Sequence, residues 1–281
     1  MNMNILIIFL LILIILFILI KKRDSFSGNI KDNNFVTLTY ENSENTTTNN
    51  LIKLLEKFGY NYRILGLGEE WKGWYGRSKL YELYIKNNLD DDVYVLICDG
   101  RDVLINEHFN EFFSKAKKIY EKHNKIIFGA ETCCCNGIHH FRKENDTSTD
   151  DELTEKVKLF LKNRTFEKIP NYKNDFFYLN FGLSFGKAKD YKNLFDEMNI
   201  KENDDDQGLA TALLYNDTNK FYVDYNQKIF SNSIHNNCPF EYDEQLKKYK
   251  NTKTNSYQSI LHFPGKNFDC YNRLKDKLLE S

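Results

Sequence analysis

Two aspartates three positions apart follow an apolar run near the middle of the chain. Asp99 and Asp102 flank the turn Gly100-Arg101, directly after residues 93–98, whose sequence is VYVLIC. Such a short β-branched and aromatic run is typical of a strand buried on both faces, and ligands of open α/β sheets bind where such strands end. A divalent cation such as Mn²⁺ or Mg²⁺ would relieve the repulsion between the carboxylates and still coordinate substrate phosphates. The alternative is a surface turn whose aspartates cap backbone amides.

Other polar residues also lie where predicted strands or helices end. Glu131 follows the apolar run 125–130, and His262 ends the short run 259–262 with an imidazole that suits Mn²⁺ as a third ligand. Three aspartates at 204–206 precede a helix predicted over 208–215, and capping of that helix explains only one of them. The adjacent residues His139-His140 lie on a polar loop, and we expect them to point into water rather than to bind a metal.

A sheet is needed to bring these residues together. Strands predicted over 35–40, 62–65, 93–98 and 125–130 alternate with helices predicted over 51–58, 79–88 and 109–123. This alternation predicts an α/β fold, a mostly parallel sheet with helices on both faces. Residues 66–76 contain four glycines and three large aromatic residues, which predicts a loop that stacks on a ligand, or else a flexible loop. The loop lacks the third glycine of a dinucleotide fingerprint, which excludes an NAD site.

Composition excludes nucleic acid as a partner. The 281-residue chain has a formal net charge of -1 and no basic stripe. Its six cysteines show no paired spacing of the kind found in structural zinc sites, and Cys98 is expected to lie in the core.

The amino-terminal region is apolar. Residues 5–20 are sixteen consecutive Ile, Leu and Phe residues, and three basic residues follow at 21–23. This pattern predicts a transmembrane anchor over 1–23, a polar stem over 24–34 and a globular domain over 35–281. A cleaved signal peptide is the alternative.

Six motifs occur in an order that resembles a known family. They are L-G-L-G-E-E-W at 65–71, D-x-x-D at 99–102, F-G-A-E at 128–131, L-N-x-G at 179–182, D-D-D-Q at 204–207, and the late His262. Over residues 35–266 the chain resembles the glycosyltransferase domain of the procollagen lysyl hydroxylase/glycosyltransferase family. The segment 229–232 matches a strand of the family more weakly. Two positions depart from the family, because Gly100-Arg101 and Cys135 stand where it usually has aromatic residues.

This resemblance implies a GT-A-like, Rossmann-like fold and a metal-dependent transfer of glucose or galactose from a UDP-sugar to hydroxylysine or galactosyl-hydroxylysine of collagen-like protein. It implies that Asp99, Asp102 and His262 hold Mn²⁺ or Mg²⁺. Catalytic roles at the sugar and acceptor side are implied for Glu131, Asn180, Asp205 and Asp206. Donor-binding roles are implied for Thr39, Trp71, Lys79, Arg101, Gly265 and Lys266.

The acceptor and the location stay open at this stage. A GT-A enzyme acting on another glycan or a lipid, or a catalytically silent protein that binds a sugar nucleotide, are the alternatives. The resemblance favours a single-pass membrane protein whose domain lies in the lumen of the endoplasmic reticulum or Golgi. The basic residues 21–23 favour the cytosolic side instead.

Overall fold

The structure is a computed structural model that describes residues 34–233, 238–265 and 267–280. Its strands are β1 (Phe35–Tyr40), β2 (Tyr62–Leu65), β3 (Tyr94–Cys98), β4 (Val103–Ile105), β5 (Ile127–Glu131), β6 (Tyr178–Lys187), β7 (Tyr222–Asp224), β8 (Phe230–Asn232), β9 (Phe240–Asp243), β10 (Lys248–Asn251) and β11 (Ile260–His262). Its helices are α1 (Thr46–Lys57), α2 (Gly73–Asn88), α3 (Phe109–His123), α4 (Asp150–Lys168), α5 (Ala188–Met198), α6 (Asp206–Asn216) and α7 (Phe268–Glu280), with a 3₁₀ turn at Ile138–Phe141.

A six-stranded sheet of order β2-β1-β3-β6-β5-β7 forms the centre of the fold. β1 is parallel to β2 and β3, and β5 is parallel to β7, whereas β6 runs antiparallel to both of its neighbours. The sheet contains both parallel and antiparallel pairs, because the ten-residue strand β6 lies between β3 and β5 and runs in the opposite direction to both. Residues that follow β3 and β5 meet the beginning of β6 at one edge of the sheet.

A second sheet of order β4-β11-β8 lies beside that edge. β11 pairs antiparallel with β4 and parallel with β8, and this register sets His262 beside Val103 on one side and Asn232 on the other. The strand pairing thus carries a residue from near the end of the chain to the position next to Asp102.

Apolar clusters cover both faces of the central sheet. One contains the fully buried Tyr81, Phe128 and Tyr191, and the other contains Phe112 and Phe185. Cys98 is buried, as expected. A disulfide joins Cys238 to Cys270 with an S–S distance of 2.02 Å, and so links the segment before β9 to α7.

Helix α2 begins earlier than the sequence predicted. The glycines and aromatic residues of 66–76 indicated a loop up to residue 76, but the helix starts at Gly73. The additional turn of helix brings Arg77 and Trp74 onto a helical surface that faces the end of β3.

The expectation of a membrane anchor needs correction. Across the described ranges, no helix combines the length and the apolar character needed to cross a bilayer. The predicted anchor (1–23) and the predicted stem up to residue 33 fall outside those ranges. The described residues give no support to the prediction of a transmembrane helix before the domain, or of a single-pass membrane protein with a lumenal domain. The fold is a mixed α/β fold.

Candidate active site

The three predicted metal ligands converge at the edge where β3 ends. Ligand atoms of Asp99, Asp102 and His262 lie within 4.8 Å of one another. Nε2 of His262 is 3.4 Å from Oδ2 of Asp99 and 3.3 Å from Oδ1 of Asp102. The imidazole is 1% exposed and the aspartates are 27% and 19% exposed, so the carboxylates form the open side of the cluster.

Asn232 sets the orientation of the His262 ring. Its Nδ2 donates to the carbonyl of Ala130 at 2.9 Å, and its Oδ1 lies 2.7 Å from Nδ1 of His262. Because that oxygen can only accept, Nδ1 carries a hydrogen, and Nε2 is the atom aimed at the two carboxylates.

The arrangement around Nε2 fits a divalent cation. Nε2 is buried without a hydrogen-bond partner among the described residues. One imidazole nitrogen and two carboxylates form a donor set suited to Mn²⁺ or a similar ion. Although burial opposes charge on the ring, Asp102 and Asp99 raise the pKa of His262 to about 10. A proton and a divalent cation would therefore compete for the same nitrogen.

Gly182 on β6 lets the cluster form. A Cβ at this position would lie 2.3 Å from Oδ2 of Asp99 and 2.7 Å from Cε1 of His262. The backbone carbonyl of Gly182 also accepts a hydrogen bond from the amide of Asp99 at 2.9 Å. The L-N-x-G motif therefore places a glycine where any side chain would displace the candidate ligands.

Arg77 is a central residue of the site that sequence reasoning missed. This arginine is 6% exposed, and it donates to Asp99 at 2.6 Å and to Asp206 through Nε at 3.1 Å and Nη2 at 2.7 Å. Burial would raise the pKa of Asp99, but Arg77 and His262 hold it down at about 2. No sequence signal identifies such a buried cation, because its two carboxylate partners come from distant segments.

The aspartates before α6 have different environments. Asp206 is 1% exposed and accepts from Arg77 and from the hydroxyl of Ser78 at 2.7 Å, so it holds Arg77 in place. Asp205 is the N-cap of α6 and accepts from the amide of Gly208 at 2.6 Å, and burial raises its pKa. Asp205 therefore caps the helix and Asp206 anchors Arg77, and the catalytic roles implied for the two residues stay a prediction.

Glu131, Asn180 and Gln207 form a buried polar group beside the candidate ligands. Asn180 and Gln207 donate to the two carboxylate oxygens of Glu131 at 2.9 and 2.6 Å. Burial raises the pKa of Glu131 to about 7 despite these hydrogen bonds. Oδ1 of Asn180 is buried without a partner in the described part of the chain. The group thus offers an unused acceptor and a carboxyl that exchanges its proton near neutral pH.

A cleft of about 520 Å³ opens in front of the carboxylates. Trp71 and Trp74 line it, each 45% exposed, with their rings 5.2 Å apart in a T-shaped contact. Arg101 also lines the cleft, where its guanidinium donates to both oxygens of Glu41 at 2.7 and 2.6 Å. Aromatic faces next to carboxylates and a cation are suited to a nucleotide.

Three of the other predicted donor-binding residues, Thr39, Lys79 and Gly265, are not among the residues that line the cleft. Thr39 is fully buried beneath the turn at Gly100, so it does not line the cleft. Lys79 pairs with Glu82 at 2.8 Å one turn along α2. Gly265 follows β11 with φ +70° in a turn, and Lys266 lies outside the described residues.

Comparison with known proteins identifies the family that this chain is similar to. The model of the PLOD GT domain family matches residues 31–143. Procollagen-lysine,2-oxoglutarate 5-dioxygenase 1 from Gallus gallus is 24% identical over 219 residues, which cover 73% of this chain. The alignment covers 26% of that protein, so the chain spans about a quarter of the length of this relative.

Two solved structures are more distant. A glycosyltransferase involved in the glycosylation of the major capsid of PBCV-1 has a TM-score of 0.42 and 12% identity, over 85% of this chain and 99% of that one. The protein A197 from STIV has a TM-score of 0.34 and 13% identity, over 64% of this chain and 78% of that one. Neither likeness supports a functional conclusion. The family match and the Gallus gallus relative confirm the resemblance to the PLOD GT domain that the sequence motifs indicated.

Proposed function

We propose that this chain, a glycosyltransferase similar to the PLOD GT domain, is a metal-dependent enzyme that transfers glucose or galactose from a UDP-sugar to hydroxylysine or galactosyl-hydroxylysine of collagen-like protein. One observation carries the proposal: the buried Nε2 of His262 has no partner among the described residues, and it points at Asp99 and Asp102 at the inner end of an aromatic cleft.

The donor would lie in this cleft with its diphosphate toward the carboxylates. Asp99, Asp102 and His262 would hold Mn²⁺ or Mg²⁺, which when bound stabilises the negative charge that develops on the leaving diphosphate. The exposed rings of Trp71 and Trp74 would stack on the base. Arg101 stands where the family usually has an aromatic residue, and its pairing with Glu41 makes that wall of the cleft polar.

The protein keeps Asp99 oriented and ionised. Arg77 donates to one oxygen of Asp99, and the buried Asp206 holds Arg77 from the other side. Because Arg77 and His262 keep the pKa of Asp99 at about 2, this carboxylate carries its charge throughout the physiological range. A preorganised, charged ligand set costs little reorganisation during the reaction.

The sugar and the acceptor would lie on the side of β5 and β6. The unused Oδ1 of Asn180 is suited to accept a hydrogen bond from a sugar hydroxyl. Glu131, held by Asn180 and Gln207, adds a carboxyl whose pKa of about 7 allows it to take or give a proton near neutral pH.

A GT-A enzyme with a different glycan or lipid acceptor is the second candidate. Two features favour it: Arg101 and Cys135 both replace aromatic residues that the family usually has around the donor and acceptor. These replacements leave the ligands of the candidate metal site intact and change the walls of the cleft.

A donor and acceptor screen tests the proposal. UDP release is measured with UDP-glucose and UDP-galactose, with and without Mn²⁺, and with peptides carrying hydroxylysine, galactosyl-hydroxylysine or unmodified lysine. We expect Mn²⁺-dependent release that needs a hydroxylysine peptide and is lost in Asp102→Ala. Asp92→Ala, which removes an aspartate that is 87% exposed and distant from the cleft, is the matched control.

The other outcomes distinguish the alternatives. Release that needs a glycan or lipid in place of the peptide would support the second candidate. Binding of a UDP-sugar without turnover on any acceptor would contradict an enzyme and indicate a silent sugar-nucleotide-binding protein.

A further inference from the structure

A second cluster of metal-ligating side chains lies outside the cleft. The loop after β5 brings His139 and His140 to the turn that precedes α6, where Asp204 lies, and ligand atoms of the three residues are within 4.8 Å of one another. Nε2 of His140 is 3.9 Å from Oδ1 of Asp204, and the centroids of the two imidazole rings are 3.9 Å apart. None of these residues belongs to the ligand set at Asp99.

His140 does not point into water, contrary to the expectation from sequence. Its side chain is 8% exposed, and its Nε2 is buried without a hydrogen-bond partner in the part of the chain that the structure describes. A buried ring nitrogen without a hydrogen-bond partner destabilises the folded protein unless an ion or a ligand binds it. Oδ1 of the Asp204 carboxylate lies 3.9 Å from that nitrogen.

The backbone around the cluster is already closely packed. A Cβ at Gly208 would lie 2.6 Å from the carbonyl oxygen of Asn136, and one at Gly137 would lie 2.7 Å from the ring of His140. Oδ2 of Asp204 accepts from the amide of Lys201 at 2.8 Å, which leaves Oδ1 directed toward His140. The loop and the start of the helix therefore hold His140 and Asp204 in place before any ion binds.

We propose that His139, His140 and Asp204 form a second metal site, which takes a divalent transition-metal ion of the Zn²⁺ class. Two imidazoles and one carboxylate are a common donor set for Zn²⁺, whereas one imidazole and two carboxylates at Asp99 suit a harder ion. In a tetrahedral site, bonds of about 2.0–2.1 Å place ligand atoms about 3.3–3.4 Å apart. Nε2 of His140 and Oδ1 of Asp204 are 3.9 Å apart, so a shift of about half an ångström would let both bind one ion. His139 is the exposed third ligand.

The ion would fasten the loop after β5 to the amino-terminal end of α6. Asp206, two residues after Asp204, holds Arg77, and Arg77 holds Asp99. Binding at the second site would therefore stabilise the segment that orients a candidate ligand of the first. The second site stands on its own geometry and does not depend on the identity of the sugar or the acceptor.

Metal titration of the 281-residue chain tests this site. Asp99→Asn together with Asp102→Asn removes the first site, and Zn²⁺ binding is followed by calorimetry and by the visible absorption of Co²⁺. We expect this double variant to bind one Zn²⁺ per chain, with a thermal stability that rises on binding. Adding His140→Gln or Asp204→Asn should lower the affinity by more than about 100-fold, since loss of an outer partner alone costs about 10–100-fold.

The controls make the outcome decisive. His108→Gln removes an exposed histidine at the start of α3 and should leave Zn²⁺ binding unchanged. If His140→Gln fails to fold, Asp204→Asn decides, because this carboxylate is 23% exposed and its replacement keeps an oxygen for the Lys201 amide. The proposal is overturned if the double variant binds no Zn²⁺, or if Asp204→Asn binds Zn²⁺ as tightly as the double variant does.

Discussion

Replacing Asn232 by alanine tests whether ring orientation governs metal binding by His262. Oδ1 of Asn232 accepts the hydrogen of Nδ1 at 2.7 Å, and Nδ2 donates to the carbonyl of Ala130 at 2.9 Å. Asn232 is 1% exposed, so water does not replace these contacts without entering the core. The substitution leaves the three candidate ligands in the chain and removes only the group that fixes the tautomer of one of them.

Two separate losses are expected in Asn232→Ala. Mn²⁺ affinity should fall by about 10–100-fold, the usual effect of removing the partner of a ligating histidine. That decrease corresponds to about 1.4–2.8 kcal/mol of binding free energy. The metal-free protein should also lose stability, because Nδ1 of His262 is left without a partner, at about 1–3 kcal/mol. The Ala130 carbonyl loses its shorter hydrogen bond and keeps the one from Nε2 of Gln227 at 3.4 Å.

A second buried asparagine provides the matched control. Asn251 is also 1% exposed, and its side chain accepts from the amides of Lys253 and Thr254 without touching His262. Asn251→Ala should therefore lose stability while it keeps its Mn²⁺ affinity.

The assay is Mn²⁺ titration by calorimetry near neutral pH, paired with urea unfolding of the metal-free proteins. Wild-type Mn²⁺ affinity in Asn232→Ala would refute the reasoning. An equal loss of affinity in Asn251→Ala would show that general destabilisation, rather than ring orientation, weakens the site.

Three further predictions follow from the same geometry. Asp102→Ala should abolish UDP release in a protein that still folds. In the metal-free variant, protonated His262 loses its attraction to Asp102, so NMR titration should show the pKa of His262 below the value of about 10 in the wild type. Gly182→Ala should weaken Mn²⁺ binding and cost about 1–3 kcal/mol of stability in urea unfolding, because the new methyl group would meet Asp99 at 2.3 Å and His262 at 2.7 Å. A variant with wild-type Mn²⁺ affinity would show that the backbone yields at this point. Because burial raises the pKa of Glu131 from 4.5 to about 7, this residue contributes stability that is present below pH 4.5 and lost as the pH rises through about 7. The free energy of unfolding should fall by up to about 3 kcal/mol across that window in the wild type but not in Glu131→Gln, as urea unfolding at several pH values would show.

The amino-acid sequence determined the local features of this protein. The run 93–98 predicted a buried strand, and β3 (Tyr94–Cys98) is buried along its whole length, with Asp99 and Asp102 directly after it. The pattern of apolar residues indicates which strands are buried, and the residue types indicate where turns occur. Both features can therefore be inferred without knowledge of the fold. The order of six motifs was enough to indicate the family resemblance.

Tertiary structure decided which side chains meet. Arg77 binds Asp99 and Asp206, residues 22 and 129 positions away in the chain. Asn232 meets His262 only because β8 pairs with β11. His140 is buried only because its loop packs against the start of α6. Hydrophobic periodicity indicates whether a residue is buried, but it does not indicate which residue it contacts. The charge and orientation of each group in this site depend on those contacts, which the strand order and the helix packing determine.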